Sequence, residues 1–155
     1  MTFAVVRVRG TLRVKPKIKE TLKYLRLNKV NHCIIIPETP EYKGMLQRAK
    51  DYITWGEVEA DTVASLLKDR SEVEENQRMT DKYVKKNTDF KDLNELSIAV
   101  SEGTFSHRKI EGLNPVFRLN PPRKGGYEGI KRAFTIGGAL GYRGKEINKL
   151  LQRMI

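Results

Sequence analysis

The sequence predicts a mixed α+β fold, and three observations carry that prediction. Three short β-branched runs alternate with two stretches of helical spacing inside residues 1–58, giving a β-α-β-α-β core. An acidic segment with helical spacing follows over residues 59–103. Residues 104–155 then gather glycine and basic side chains with little periodicity and close on a short amphipathic helix. The chain therefore divides into a core, an acidic helical insertion and a basic glycine-rich extension.

Residues 2–9 (Thr-Phe-Ala-Val-Val-Arg-Val-Arg) stop at Gly10 and read as a strand. Period-two alternation puts Phe3, Val5, Arg7 and Arg9 on one face and Ala4, Val6 and Val8 on the other. Pro16 is suited to a helix's first turn, where its missing N–H costs nothing. Ile18, Leu22 and Leu25 recur behind it at i, i+4 and i+7, with Lys15, Lys17, Lys19, Lys23 and Arg26 mainly off that stripe. Val30–Ile36 is the second strand, with Ile34, Ile35 and Ile36 as a buried run. Thr39 and Pro40 form a cap and first-position pair for a second helix, whose inward face is Tyr42, Met45, Leu46 and Ala49. Tyr52–Val58 is the third strand, with Ile53 and Trp55 on one side. Helices crossing back over so small a sheet give a sandwich with one layer of each.

In the acidic segment, Asp61 is expected to cap a helix carrying Val63, Leu66 and Leu67. Residues 69–82 are nearly all polar and read as an exposed link. Asp92 with Glu95 three residues later makes a capping box, followed by Leu93, Leu96 and Val100 and a stop at Gly103. We expect this region to be a solvated helical appendage. Nine of the twelve glycines lie from Gly103 onward, interleaved with Arg118, Arg123, Lys124, Arg132, Arg143 and Lys145. Lys145–Met154, with Ile147, Leu150 and Leu151 at helical spacing, is the closing helix.

Charge follows the same divisions. Residues 1–55 hold 12 Lys/Arg against 4 Asp/Glu, residues 56–103 hold 7 against 12, and residues 104–155 hold 11 against 3. Two basic ends flanking an acidic middle, within a net charge of +11, point to a polyanion touched by both ends. No stretch is apolar enough to span a bilayer, so no membrane partner is expected. The single cysteine, Cys33, excludes an internal disulfide and a cysteine-rich zinc site. It lies in an apolar run and reads as a small buried hydrophobe in a reducing compartment. The chain opens on a strand-like run without a secretory pattern, and the expected location is the cytosol.

Catalytic readings fail on spacing. His32 and His107 have no Cys, Ser or carboxylate placed for a triad or metal site. Phe134–Lys145 resembles strand, glycine loop and helix, yet lacks the Gly-Lys-Ser/Thr ending of a P-loop and the Gly-x-Gly-x-x-Gly order of a dinucleotide site. Glu72, Glu74 and Glu75 in a polar link read as solubilising rather than as metal ligands. No cofactor, metal or small-molecule substrate is expected.

Two constellations carry the functional signal. Arg118, Arg123 and Lys124 lie beside Pro121, Pro122, Gly125 and Gly126, with Tyr127 next to them. Prolines stiffen an extended backbone, arginines fork onto phosphates, and a tyrosine ring can stack on an exposed base. Tyr142-Arg143-Gly144-Lys145 is the second. Irregular surroundings and the lack of a base-reading helix favour shaped RNA over DNA grooves.

At these positions the chain resembles a known family. Thr21-Leu22, Leu25, Leu27, Lys29, His32 and Ile34, then Met45-Leu46, Ala49 and Tyr52-Ile53, match the signature region of large-subunit ribosomal protein thirty. Phe-Arg-Leu-Asn-Pro-Pro-Arg-Lys-Gly-Gly from Phe117, and Gly-Gly-Ala-Leu-Gly-Tyr-Arg-Gly-Lys from Gly137, resemble the long archaeal and eukaryotic form (the latter also called protein seven). The resemblance covers essentially the whole chain. It implies a ferredoxin-like core with a three-stranded antiparallel sheet and two helices. It also implies a noncatalytic role in the large subunit, with ribosomal RNA and neighbouring ribosomal proteins as partners.

The expected RNA contacts are Arg7, Arg9, Lys15, Lys17 and Arg26 on the core. On the extension they are His107, Arg108, Lys109, Arg118, Arg123, Lys124, Tyr127, Arg132, Tyr142, Arg143 and Lys145. Two other classes compete: an enzyme using the glycine loop at 137–144, and a regulatory RNA-binding protein working outside the ribosome.

Overall fold

A computed structural model describes residues 1–10 and 12–155. Strand β1 (Thr2–Arg7) is buried along its whole length, so its alternation sorts two cores rather than core from solvent. It pairs antiparallel with β2 (His32–Pro37) on one side and β3 (Ile53–Glu57) on the other. The connections are helices α1 (Pro16–Tyr24) and α2 (Pro40–Arg48), each with proline in its first turn. Thr39 Oγ1 accepts the Tyr42 N–H at 3.4 Å, so α2 is capped as expected.

These three strands are the centre of a larger sheet, with five strands in the order β4-β2-β1-β3-β5. β4 (Phe117–Arg118) adds antiparallel to β2, and β5 (Gly141–Tyr142) adds parallel to β3. Both edges come from the stretch expected to be irregular. A two-residue strand has no period for a sequence pattern to show.

Each face of the sheet carries a core. On the first face Phe3, Val5, Ile34, Ile36, Ile53 and Trp55 meet Leu22, Leu25 and Leu27 from α1 and its exit loop, and Leu46 and Ala49 around α2. On the second face Ala4, Val6, Cys33 and Ile35 meet side chains from three further helices. These are α3 (Ala60–Arg70), α5 (Leu93–Glu102) and α6 (Glu146–Met154). The short α4 (Asp81–Asn87) joins α3 to α5 and contributes Val84. The two-layer expectation is thus corrected to three layers, helices–sheet–helices. The reason is that the face of Ala4, Val6 and Ile35 is as apolar as the other and needs a cover. The acidic segment supplies it with Val63, Leu66, Leu67, Leu96 and Val100. Nor is 69–82 an exposed link: Val73 and Met79 are buried, and Ser71 Oγ accepts the Met79 N–H at 2.9 Å.

Local signals hold these helices in place. Glu59, not Asp61, is the N-cap residue of α3, and Asp61 sits in the first turn, where the helix dipole favours an acid. Asp92 accepts the Glu95 N–H at 2.8 Å while Glu95 reaches back to the Lys91 N–H at 2.8 Å, and α5 ends on Gly103 at φ 84°. Asn148 in α6 accepts the Glu59 N–H at 2.9 Å and donates to the Glu57 carbonyl at 3.0 Å, fastening the last helix to the β3–α3 junction. Gly56 is what lets this junction close. A Cβ there would lie 1.8 Å from the Gly144 carbonyl oxygen.

Candidate nucleic-acid interface

The antiparallel register gathers the basic loops at one end of the sheet. Arg7 pairs with Ile53, Val6 with Cys33, and His32 with Arg118, so residues 8–10 and 12–15, the loop 25–31 and the loop 49–52 emerge together. They carry Arg9, Arg13, Lys15, Arg26, Lys29 and Lys50 against a single acid, Asp51. The opposite end carries Glu38 beyond β2, Glu57 and Glu59 around the end of β3, and Glu102 closing α5. Lys43, Arg108, Lys109 and Lys145 also lie at that end, so the carboxylates there are balanced and the excess of cations, with its positive potential, sits at the loop end.

A concavity of about 430 Å³ opens at that basic end, lined by Lys23, Arg26, Asn28, His32, Asn114, Val116 and Arg118. The side chain of Arg118 is 65% exposed and only loosely met by Glu72 at 3.6 Å, so its guanidinium is available to a second anion. Burial, then Arg118, Lys29 and Arg7, lower the pKa of His32. At neutral pH the ring offers hydrogen bonds and no charge. Lys15, Lys17 and Arg48 surround a second concavity floored by Ile18. The Arg9 guanidinium rests 5.1 Å from the Tyr52 ring centroid, which holds it without neutralising it.

The extension reaches the same end. Arg153 in α6 donates from Nε to the Arg123 carbonyl at 2.9 Å and from Nη2 to the carbonyls of Lys124 and Gly126 at 3.2 and 2.8 Å. This fixes the 123–126 backbone and leaves the Arg123 and Lys124 heads in solvent. The Tyr127 hydroxyl donates to Asn31 Oδ1 at 2.8 Å, tying that turn to the loop before β2. Arg132 is exposed on the following turn, where Gly138 packs so closely that a Cβ would meet the Arg132 carbonyl at 2.0 Å.

Several expected contacts lie elsewhere. Arg7 is 2% exposed, with Nη1 donating to the Leu27 carbonyl at 2.6 Å and Nε to the Arg9 carbonyl at 2.9 Å. It is an internal strut because the α1–β2 loop, through Leu27, closes over it on the first face. His107 is 1% exposed, stacked on Phe117 and bonded to the Pro115 carbonyl at 3.3 Å. Arg143 is spent on Thr54 Oγ1 at 2.8 Å, the Ala139 carbonyl at 2.9 Å and the Phe134 ring at 4.8 Å. Tyr127 packs against both Val8 and the second core, so its ring is not free to stack on a base. Arg108 reaches the Tyr42 hydroxyl at the start of α2, with Lys109 beside it, at the far end of the sheet. Tyr142 and Lys145 also lie at that acidic end, Tyr142 donating to Glu57.

Lys23, Asn28 and Arg48, which the expected set leaves out, line the two concavities at the basic end, and Arg153 braces the 123–126 turn beside them. Lys23 and Arg48 sit on the flanks of α1 and α2, and a cation on a helix flank carries no sequence signal separating an interface from ordinary solvation. The glycine stretch 137–144 does not form a phosphate loop. It runs into β5 and supplies a strand edge. Among the described residues, no helix is long and apolar enough to cross a membrane.

The family model for ribosomal protein L30p/L7e matches residues 3–53, which span β1 to the start of β3. Large ribosomal subunit protein uL30 of Methanosphaera stadtmanae is 52% identical over 155 residues, covering 99% of this chain and 99% of its own length. The chain belongs to the uL30 family. The uL30 of Archaeoglobus fulgidus is likewise 52% identical, over 152 residues and 98% of this chain, and that of Methanoculleus marisnigri is 47% identical over 152. These relatives match the whole chain, so the uL30 likeness extends through the acidic segment and the extension as well as the sheet.

Proposed function

We propose that this uL30-family chain is a structural, noncatalytic constituent of the large ribosomal subunit in the cytoplasm. It binds ribosomal RNA through the basic end of its sheet and contributes to assembly of the subunit, beside other ribosomal proteins. The observation that supports the RNA contact is the convergence of Arg26, Arg118, Arg123 and Lys124 with the β1–α1 loop at one end, where cations outnumber the acids Asp51 and Glu72, while at the other end Glu38, Glu57, Glu59 and Glu102 are balanced by Lys43, Arg108, Lys109 and Lys145. The contact set is Arg9, Lys15, Lys17, Lys23, Arg26, Arg118, Arg123, Lys124 and Arg132. Forked guanidinium groups there meet phosphates, and the neutral His32, Asn28 and Asn114 offer hydrogen bonds to base edges or ribose hydroxyls.

Each lost phosphate contact should lower the slope of log affinity against log salt by roughly 0.7–0.9. Arg26→Ala with Arg118→Ala is expected to weaken binding to large-subunit RNA and flatten that slope by about 1.5. Arg108→Ala with Lys109→Ala, at the far end, should leave both unchanged. Equal losses from the two double variants would remove the directional reading. Failure of the wild-type chain to co-sediment with large subunits at high salt would remove the ribosomal one.

A further inference from the structure

The acidic end of the sheet holds an aromatic concavity that RNA binding does not use. Tyr142 on β5 is 49% exposed and forms its wall, with ring centroids 6.4 Å from Phe3 and 6.3 Å from Trp55. The three rings, with Glu38, Lys43 and Glu57, border a space of about 320 Å³. The Tyr142 hydroxyl donates to the Glu57 carboxylate, so ring and carboxylate hold each other in place. Glu38 is the second carboxylate and is paired with the exposed Lys43 at 2.7 Å.

We infer that this concavity takes an arginine or lysine side chain from a basic peptide arm of a neighbouring protein. The exposed Tyr142 ring, backed by the buried Phe3 and Trp55, attracts a cation through its quadrupole, and the flanking carboxylates complete the cation's hydrogen bonds. Among the described residues the Glu57 carboxylate is bonded to a neutral phenol and to no cation. Lys43 then acts as a resident cation on Glu38 that an incoming arginine displaces. The chain as a whole carries +11 and repels cationic peptides, so affinity for one requires a local site of opposite sign. The same carboxylates disfavour an RNA phosphate here, which separates this site from the opposite end of the sheet.

Trp55 is the only tryptophan in the chain, and its fluorescence reports directly on the site. The full chain is titrated with a tryptophan-free, end-blocked peptide of alternating arginine and glycine, and with its glutamate counterpart. A saturable change is expected with the arginine peptide and none with the glutamate one. Tyr142→Ala and Glu57→Gln should each weaken binding about fivefold. Lys43→Gln, at a side chain 55% exposed, should strengthen it by about threefold because Glu38 is freed. Retained RNA affinity and salt slope in these variants shows that they are folded, and makes the outcome independent of the RNA reading. The proposal is overturned if the arginine peptide gives no saturable signal, or if all three variants bind it like the wild type. It is equally overturned if a short RNA produces the Trp55 change and the peptide does not.

Discussion

At residue 107 a buried imidazole turns acidity into a stability cost. His107 lies flat on Phe117 with Nε2 donating to the Pro115 carbonyl, and burial pulls its pKa from 6.5 down to about 4. In the unfolded chain the ring protonates near 6.5, so between there and 4 the unfolded state binds more protons than the folded one. Stability is complete above the unfolded value, falls as pH drops toward the folded value, and levels off below it. The loss amounts to something on the order of 3 kcal/mol. His107→Gln keeps a donor for Pro115 without a titrating group, so its urea midpoint should change much less between these pH values. His32, also lowered, leaves a residual slope in both proteins. Parallel wild-type and variant profiles would show that His107 is not the group responsible. Arg7 is the cationic counterpart. It spans two carbonyls inside the basic end, so it shapes the basic loops from beneath.

At the scale of elements, the β3–β5–α6 junction depends on a missing side chain. Gly56 lets the Gly144 carbonyl approach the middle of β3, and Ile147 Cβ would itself be 3.1 Å from an added methyl. Gly56→Ala must push β5 and α6 outward, at a cost of about 1–3 kcal/mol read as a lowered denaturation midpoint. An unchanged midpoint would mean that the junction yields freely. This dependence also marks where the sequence stops being legible. Helices α1, α2 and α5 were readable because Pro16, Thr39-Pro40, Asp92 with Glu95, and Gly103 act within a few residues of themselves. The central strands are legible because β1 and β2 carry four-residue apolar runs, Phe3–Val6 and Cys33–Ile36, and β3 alternates Ile53 and Trp55 on one side. Edges β4 and β5 rest on pairings across more than eighty residues, and no local pattern encodes those. The stripe of α5 announced that Leu96 and Val100 are buried without saying against what. The interface had the same limit: cation-rich loops were visible, but which of them share an end follows from the register. Arg7 and His107 are buried although nothing near them in the sequence signals it, because the α1–β2 loop that closes over Arg7 and the Phe117 ring that His107 stacks on lie further along the chain.

For the whole molecule, the sheet is common property of two cores, and this decides how the chain should unfold. Leu46 packs on the first face and Leu151 on the second, both fully buried, and only the sheet separates them. The β1 residues Val5 and Val6 point into different cores, so neither core can dissolve while β1 stays ordered for the other. Leu46→Ala and Leu151→Ala are each expected to cost about 2–5 kcal/mol. They should move one shared transition, with Trp55 fluorescence and far-ultraviolet circular dichroism coinciding in both variants. Two separated transitions would instead make residues 1–58 a folding unit that carries the rest. The distinction matters for RNA binding. The basic end is assembled from Arg26 on the first half and from Arg118, Arg123 and Lys124 on the second, held together by the Tyr127–Asn31 hydrogen bond. If the cores are coupled, that end exists only when the whole chain is folded. Leu151→Ala then lowers RNA affinity solely by the fraction unfolded, and leaves the salt slope of the folded molecules untouched.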